Sequence, residues 1–134
     1  MNKIFIAFCI SILTISANAQ TFFVSGIDKD TRMHIEAKVK SEGYTLVDSA
    51  SADYVVHLVI YGPDHAVSFG YRQHGYILLS DRESGEEISR TPEKAFSSTL
   101  YYPANESYII FNKLSKKYLS DELKKCPHKQ SLVQ

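Results

Sequence analysis

The sequence predicts an α+β fold, a two-layer sandwich in which two main helices pack on a mixed or mainly antiparallel sheet of four to six strands. Residues 53–62 are almost wholly aromatic, aliphatic or β-branched apart from His57. Such a run is typical of a central strand covered on both faces. Residues 28–42 and 105–125 carry apolar residues at helical spacing, which predicts the two amphipathic helices.

A small βαβ unit is predicted ahead of the central strand. Residues 21–25 form a short β-prone run, and Asp28 or Asp30 can cap the helix that follows. Gly43 is predicted to close this helix in the left-handed conformation, and residues 44–47 form a second short strand. A right-handed crossover is expected for such a unit.

The chain after the central strand predicts the rest of the sheet and the last helix. Gly62-Pro63 is expected to end the central strand, a turn is expected at 73–75, and Ser84-Gly85 indicates a hairpin. Both helices are expected on one face of the sheet. The apolar second face of the central strand then needs a partner subunit or the loop 91–104 as cover, which favours a homodimer. Further strands are predicted over residues 66–72, 76–81, 87–90 and 95–101.

The first 19 residues have the pattern of a secretory signal peptide. Lys3 precedes a short apolar core, and an A-x-A cleavage site at residues 17–19 makes Gln20 the expected new N-terminus. Phe8 stands before Cys9 where a lipoprotein signal carries a small residue, so lipidation is not expected. The predicted organisation is a signal peptide (1–19), a single α+β domain (20–127) and a flexible tail (128–134), in a periplasmic or secreted protein.

The composition of the chain without residues 1–19 argues against several classes of protein. Without Lys3, 14 of the 15 basic residues remain against 15 acidic ones, which argues against a nucleic-acid binder. No later apolar run is long enough for an integral membrane segment. Cys126 is the one cysteine left, so the fold has no internal disulfide and this thiol is expected to be buried, capped or paired between chains.

Sequence signatures of catalysis are missing. The chain has no G-x-S-x-G, P-loop, G-x-G-x-x-G or H-E-x-x-H motif, which favours a protein that is not an enzyme and needs no cofactor. Cys126-Pro127-His128 places a thiol beside an imidazole, but a helix C-terminus disfavours the thiolate.

Two metal hypotheses are less favoured. His57, His65 and His74 would converge on a zinc ion if neighbouring strands brought them together, although none has the close spacing of paired ligands. Asp81, Glu83 and Glu87 place oxygen ligands at alternate positions, superficially as in a calcium loop, but the repeated Asp/Asn pattern and a bidentate glutamate at the correct later offset are missing. A solvated hairpin tip explains them better, and no metal is expected.

Tyrosines near loops and edge strands are the best candidates for a binding surface. Exposed tyrosine rings offer a large contact area at small entropic cost. The basic stretch over residues 113–129 is interpreted as a solvated helix face, with an anionic lipid or polymer as the less favoured partner. The candidate binding residues are Tyr71, His74, Tyr76, Tyr101 and Tyr102.

Short motifs resemble small bacterial envelope domains of the CsgG-like and TolB N-terminal-like kind. The run Ser51-Ala52-Asp53-Tyr54-Val55-Val56 opens the central strand, and residues 76–81 lead into Ser84-Gly85-Glu86-Glu87-Ile88. The resemblance implies an α/β layer structure used for assembly or protein contact in the periplasm, without catalysis. This chain departs from it by an unusual tyrosine-rich insert at 61–76 and by having no predicted strand after the last helix.

The sequence therefore favours an exported, non-enzymatic binding or adaptor protein with a protein partner in the cell envelope. One alternative is a periplasmic inhibitor or immunity-type protein that blocks a specific enzyme. Another is a small metal-dependent hydrolase built on the three histidines.

Overall fold

The architecture is a single mixed sheet with helices on one side, seen in a computed structural model that describes residues 20–65, 71–98 and 106–129. The last helix runs through a π-helical segment. The elements are β1 (Thr21–Ser25), α1 (Lys29–Ser41), β2 (Thr45–Leu46), β3 (Tyr54–His65), β4 (Tyr71–Asp81), β5 (Glu87–Arg90), β6 (Lys94–Ser98), α2 (Glu106–Leu114), the π segment (Ser115–Leu119) and α3 (Ser120–Lys124).

The sheet has the strand order β2-β1-β3-β4-β5, and β6 also pairs with β4. β1 runs parallel to both β2 and β3, whereas β4 is antiparallel to β3, β5 and β6. The α+β class, the mixed sheet and the central place of residues 53–62 are thereby confirmed.

Local signals set the bounds of α1. The carboxylate of Asp28 accepts hydrogen bonds from the backbone N–H and the hydroxyl of Thr31, both at 2.8 Å, and so satisfies a first-turn donor. Gly43 follows the helix with φ of 93°, a conformation that glycine adopts without a Cβ penalty. Both predicted helix ends are confirmed.

The central strand is longer than predicted. It does not end at Gly62-Pro63 but continues to His65, and its register against β4 shifts between Tyr61 and Asp64. Proline donates no ladder hydrogen bond, and a bulge is the place where a strand tolerates it. The strand therefore passes through the residues that were expected to stop it.

The predicted turn at residues 73–75 is wrong, since these residues lie inside β4. Gly75 faces the helices. A Cβ placed on it would come within 2.8 Å of Cγ2 of Ile110 and 3.1 Å of the carbonyl oxygen of Val59. Glycine is needed here for the close approach of α2 to the sheet, and that requirement is not visible in the local sequence.

One hydrophobic core lies between the sheet and the helices. The side chains of β3 alternate, so that Tyr54, Val56 and Leu58 are buried while the residues between them are half-buried. The buried residues of all helices join the same cluster, so both helices lie on one face of the sheet, as expected. The helix residues in the cluster are Ile35, Val39, Ile110, Phe111, Leu114, Leu119 and Leu123.

The π segment follows from the spacing of the residues that the last helix turns toward the core. Ile110, Leu114, Tyr118 and Glu122 contribute to the buried side at intervals of four residues. A four-residue repeat drifts by about 40° per turn on an α-helix with 3.6 residues per turn. A wider π turn absorbs this drift and keeps both ends of the helix on the core. The predicted last helix is confirmed over residues 106–124, and Asn105 lies outside the described residues, whereas the π segment was not predicted.

The end of the last helix is tied to the start of β1 and β3. The side-chain amide of Gln20 donates to the carbonyl oxygen of Cys126, and the hydroxyl of Tyr54 donates to that of Pro127. Lys129 donates to the carbonyl oxygen of Asp53 at 3.1 Å. The first described residue and the last described residues therefore meet at one end of the sheet.

Candidate functional site

The face of the sheet opposite the helices is the candidate site, and we call it the open face. No element of the described ranges packs over it, and its side chains are half-buried at most positions, with Tyr61 45 % exposed. Strand register brings apolar residues together across β1, β3 and β4. The open face consists of Phe23, Val55, His57, Val59, Tyr61, His74, Tyr76 and Leu78.

The polar centre of the open face is a hydrogen-bonded pair. Nε2 of His57 lies 2.8 Å from Oγ of Ser80, a buried hydroxyl on β4. Burial lowers the pKa of His57 below its ordinary value, because the charged imidazolium loses hydration there. A neutral imidazole that is already paired costs little to cover with another surface.

One end of the open face is aromatic. The rings of Tyr61 and His74 stack with centroids 5.2 Å apart and planes 12° from parallel. Nδ1 of His74 lies 3.7 Å from Oε1 of Glu93. The stack presents a flat ring surface beside the junction of β4 and β6.

A cation–π arrangement borders the face near β5. The guanidinium of Arg90 lies 4.6 Å from the centroid of the Tyr76 ring and forms a bidentate pair with Glu87, with distances of 3.0 Å and 2.5 Å. The hydrogen bonds that Arg90 donates to Glu87 are the largest cause of the raised pKa of Arg90 and of the lowered pKa of Glu87. These charges neutralise each other and leave the ring face apolar.

Two of the five predicted binding residues, His74 and Tyr76, are brought together on the open face. Tyr71 begins β4, and its backbone pairs with His65 and Ser98. Tyr101 and Tyr102 lie outside the described residues. The binding role of all five stays a prediction.

Sequence reasoning missed most of the open face. Tyr61 and Leu78 were not named as candidates, although Val55, His57, Val59 and Tyr61 share one side of a strand by simple alternation. The available signal was this period of two. The sequence predicts a strand that is covered on both faces, whereas no described element covers the second face.

Strand register spaces the three histidines of the zinc hypothesis along the hairpin. His74 pairs with Tyr61, which lies four residues, or roughly 13 Å, along β3 from His57. The side chain of His65 lies outside the described residues. Among the side chains that are described, no group of three or more His, Cys, Asp or Glu has the geometry to hold a metal ion.

The acidic hairpin tip is organised by its own backbone. Oδ1 of Asp81 accepts hydrogen bonds from the N–H groups of Glu83 and Ser84 at 2.8 and 3.1 Å. Its other oxygen contacts Lys129 at 2.8 Å. This carboxylate therefore shapes the turn, with Gly85 at φ of 74° completing it.

Cys126 is buried, with 2 % of its surface exposed. Burial raises the pKa of its thiol to about 12, which disfavours a reactive thiolate. Of the fates expected for this lone cysteine, the structure shows burial.

No family model and no curated protein matches the chain. The solved structures to which it is similar include the following three. A minor lipoprotein from Acinetobacter baumannii is 13 % identical, with a TM-score of 0.46 over 78 % of this chain and 91 % of that one. A PelC dodecamer from Paraburkholderia phytofirmans is 12 % identical, with a TM-score of 0.45 over 76 % and 86 %. A lipoprotein from Neisseria meningitidis is 9 % identical, with a TM-score of 0.41 over 72 % and 96 %.

These three proteins are lipoproteins or PelC by name, and none of the three is named as CsgG-like or TolB-like. Identities near one tenth with TM-scores below 0.5 do not transfer a fold or a function. Within residues 20–65, 71–98 and 106–129, no helix is both long and apolar enough to cross a membrane.

Proposed function

We propose that this protein is an exported, non-enzymatic binding or adaptor protein that contacts a protein partner in the cell envelope through the open face. The observation that carries the proposal is an apolar and aromatic sheet face without a described cover, in which the polar groups are already paired. Such a face gains free energy when a complementary surface removes it from water.

The composition of the face favours a protein as the partner. Tyr61, Tyr76 and Leu78 supply ring and aliphatic surface, and the paired groups His57–Ser80 and Arg90–Glu87 do not have to break a contact when covered. Protein interfaces are enriched in tyrosine and arginine at their centres. A second copy of this chain is one such partner, consistent with the homodimer expected from the sequence.

The cellular location that we propose is inferred from the amino-acid sequence. Residues 1–19 carry the basic start, the apolar core and the A-x-A triplet of a signal peptide, which supports export and a domain that begins near Gln20. We therefore propose that the protein lies in the cell envelope, that its domain spans residues 20–127 and that it acts without catalysis.

Site-specific photo-crosslinking in cells tests this function. A photoreactive phenylalanine analogue placed at Tyr61 or Tyr76 is expected to give a discrete protein adduct. The same analogue at Met33, which is 54 % exposed on α1 on the opposite side of the sheet, is the matched control and should give none. An adduct of twice the chain mass identifies a second copy. Adducts of equal yield from all three positions, or none from the open face, contradict the proposal.

A further inference from the structure

A second surface carries an inference that does not depend on the open face. Between β6 and the last helix lies a cleft of about 380 Å³, a size within the usual range of ligand pockets. Its floor is apolar and its rim is basic, and the described residues that line it include no acidic side chain. We call it the lysine cleft, lined chiefly by Lys94, Phe96, Ile109, Lys113, Lys116 and Lys117.

The four lysines converge from two elements. Lys113, Lys116 and Lys117 come from the last helix, whereas Lys94 comes from β6, so helix periodicity alone does not account for the cluster. In the described part of the chain, no carboxylate forms an ion pair with any of them. No described carboxylate therefore neutralises this positive charge.

Two of these lysines are held by one aromatic ring. The ammonium nitrogens of Lys94 and Lys117 lie 5.6 and 5.4 Å from the centroid of the Tyr118 ring. Lys116, Lys117 and Tyr118 all belong to the π segment, and π turns occur frequently at functional sites. The same segment therefore supplies two lysines of the cleft and the ring that lies beside them.

The apolar floor adds a second requirement on the ligand. Phe96 and Ile109 are half-buried and line the base of the cleft below the ammonium groups. A small inorganic anion would leave this surface unused. A ligand with an anionic head and an apolar part satisfies both the rim and the floor.

We propose that the lysine cleft binds the headgroup of an anionic phospholipid at a membrane surface. The phosphate lies among the lysines, and the glyceride portion covers Phe96 and Ile109. The protein would then rest on the membrane through the surface where the last helix meets β6, while the open face on the other side of the sheet stays accessible to a partner. Each lysine near an anionic membrane contributes about fivefold to affinity at moderate salt.

Vesicle binding by the purified, exported chain tests the proposal. The protein is expected to bind vesicles of phosphatidylglycerol and phosphatidylcholine and not vesicles of phosphatidylcholine alone. The double variant Lys113→Gln/Lys116→Gln should weaken binding about 25-fold. Within the described ranges, neither lysine forms a side-chain hydrogen bond or an ion pair with the rest of the fold, and circular dichroism checks that the variants are folded. The matched control, Lys29→Gln/Lys40→Gln on α1, loses the same charge away from the cleft and should stay within about twofold of wild type.

A second variant separates the cleft from general electrostatic attraction. Ile109→Ser keeps the charge and is expected to weaken vesicle binding at least threefold. Equal losses for both lysine pairs, displacement of the vesicles by millimolar inorganic phosphate, or no binding by the wild-type chain would each overturn the proposal. Crosslinking from Tyr61 tests the open face and not the lysine cleft. A negative result with vesicles therefore does not contradict the proposed function.

Discussion

Nζ of Lys129 lies 2.8 Å from Oδ2 of Asp81, and this contact joins the end of the described chain to the β4–β5 hairpin. The hydrogen bond from Lys129 is the largest of the causes that lower the pKa of Asp81 to about 2. The same ammonium group donates to the carbonyl oxygen of Asp53 and lies 5.1 Å from the ring centroid of Tyr54. Lys129 therefore bridges two strands at one end of the sheet.

The variant Lys129→Ala is expected to lower the melting temperature at about pH 6 and to differ less from wild type near pH 2. The folded pKa of Asp81, about 2, lies below its ordinary value of 3.8, so ionised Asp81 stabilises the fold above about pH 4. The stabilisation is lost as the pH falls through the folded pKa. Thermal unfolding followed by circular dichroism across this range measures the difference. Lys113→Ala is the control, because it removes the same positive charge at a position away from Asp81. An equal loss of stability from both variants at pH 6 would contradict a stabilising role for the contact between Lys129 and Asp81.

Gly75→Ala is expected to destabilise the fold by about 1–3 kcal/mol, because the added methyl group meets Ile110 at 2.8 Å. Denaturant unfolding measures the loss. Ile110→Leu removes the opposing γ2 methyl group, so the double variant should lose less than the sum of the two single variants. Strict additivity would show that the two groups do not meet.

His57 should make the fold less stable as the pH falls from about 7 to 5. Its folded pKa is lowered by burial, so the folded state binds fewer protons than the unfolded state. The neutral imidazole contributes fully to the stability of the fold above the unfolded pKa of about 6.5, and this contribution declines below that pH. His57→Phe is expected to flatten this slope in denaturant titrations at several pH values, whereas a change at the exposed His128 should leave it intact. An unchanged slope in His57→Phe would place the dependence elsewhere.

Cys126 is expected to resist alkylation in the folded protein at about pH 8 and to react at once in concentrated guanidinium chloride. Its thiol is buried and its pKa is raised to about 12, so little thiolate forms. Mass spectrometry after iodoacetamide treatment measures the modified fraction. Rapid modification under native conditions would mean that the end of the last helix opens readily.

Elements whose signals are local were predictable from the sequence. The cap at Asp28, the glycine at residue 43 and the hairpin at Ser84-Gly85 each act within a few residues, and all are present in the structure. The helix-facing side of β3 was predictable from alternation, since Tyr54 and Val56 are both fully buried.

Features that depend on distant partners were not predictable. Gly75 indicates a turn by itself, and its place in a strand is explained only by Ile110, which comes 35 residues later. The π segment follows from a four-residue repeat that looks like an ordinary amphipathic pattern until it is counted over several turns. In the candidate site, Tyr76 and His74 were named from composition, but the register that joins them to Tyr61 needed the paired strands.

The junction of Gln20 with Cys126 has a consequence for the order of folding. These residues are 106 positions apart, and Phe22 and Val24 of β1 are buried in the same cluster as Leu119 and Leu123. β1 thus lacks part of its cover until nearly the whole domain has been made. A core that closes through such distant contacts folds slowly. For the export that we propose, slow closure of the core favours a chain that is still unfolded when it reaches a secretion channel.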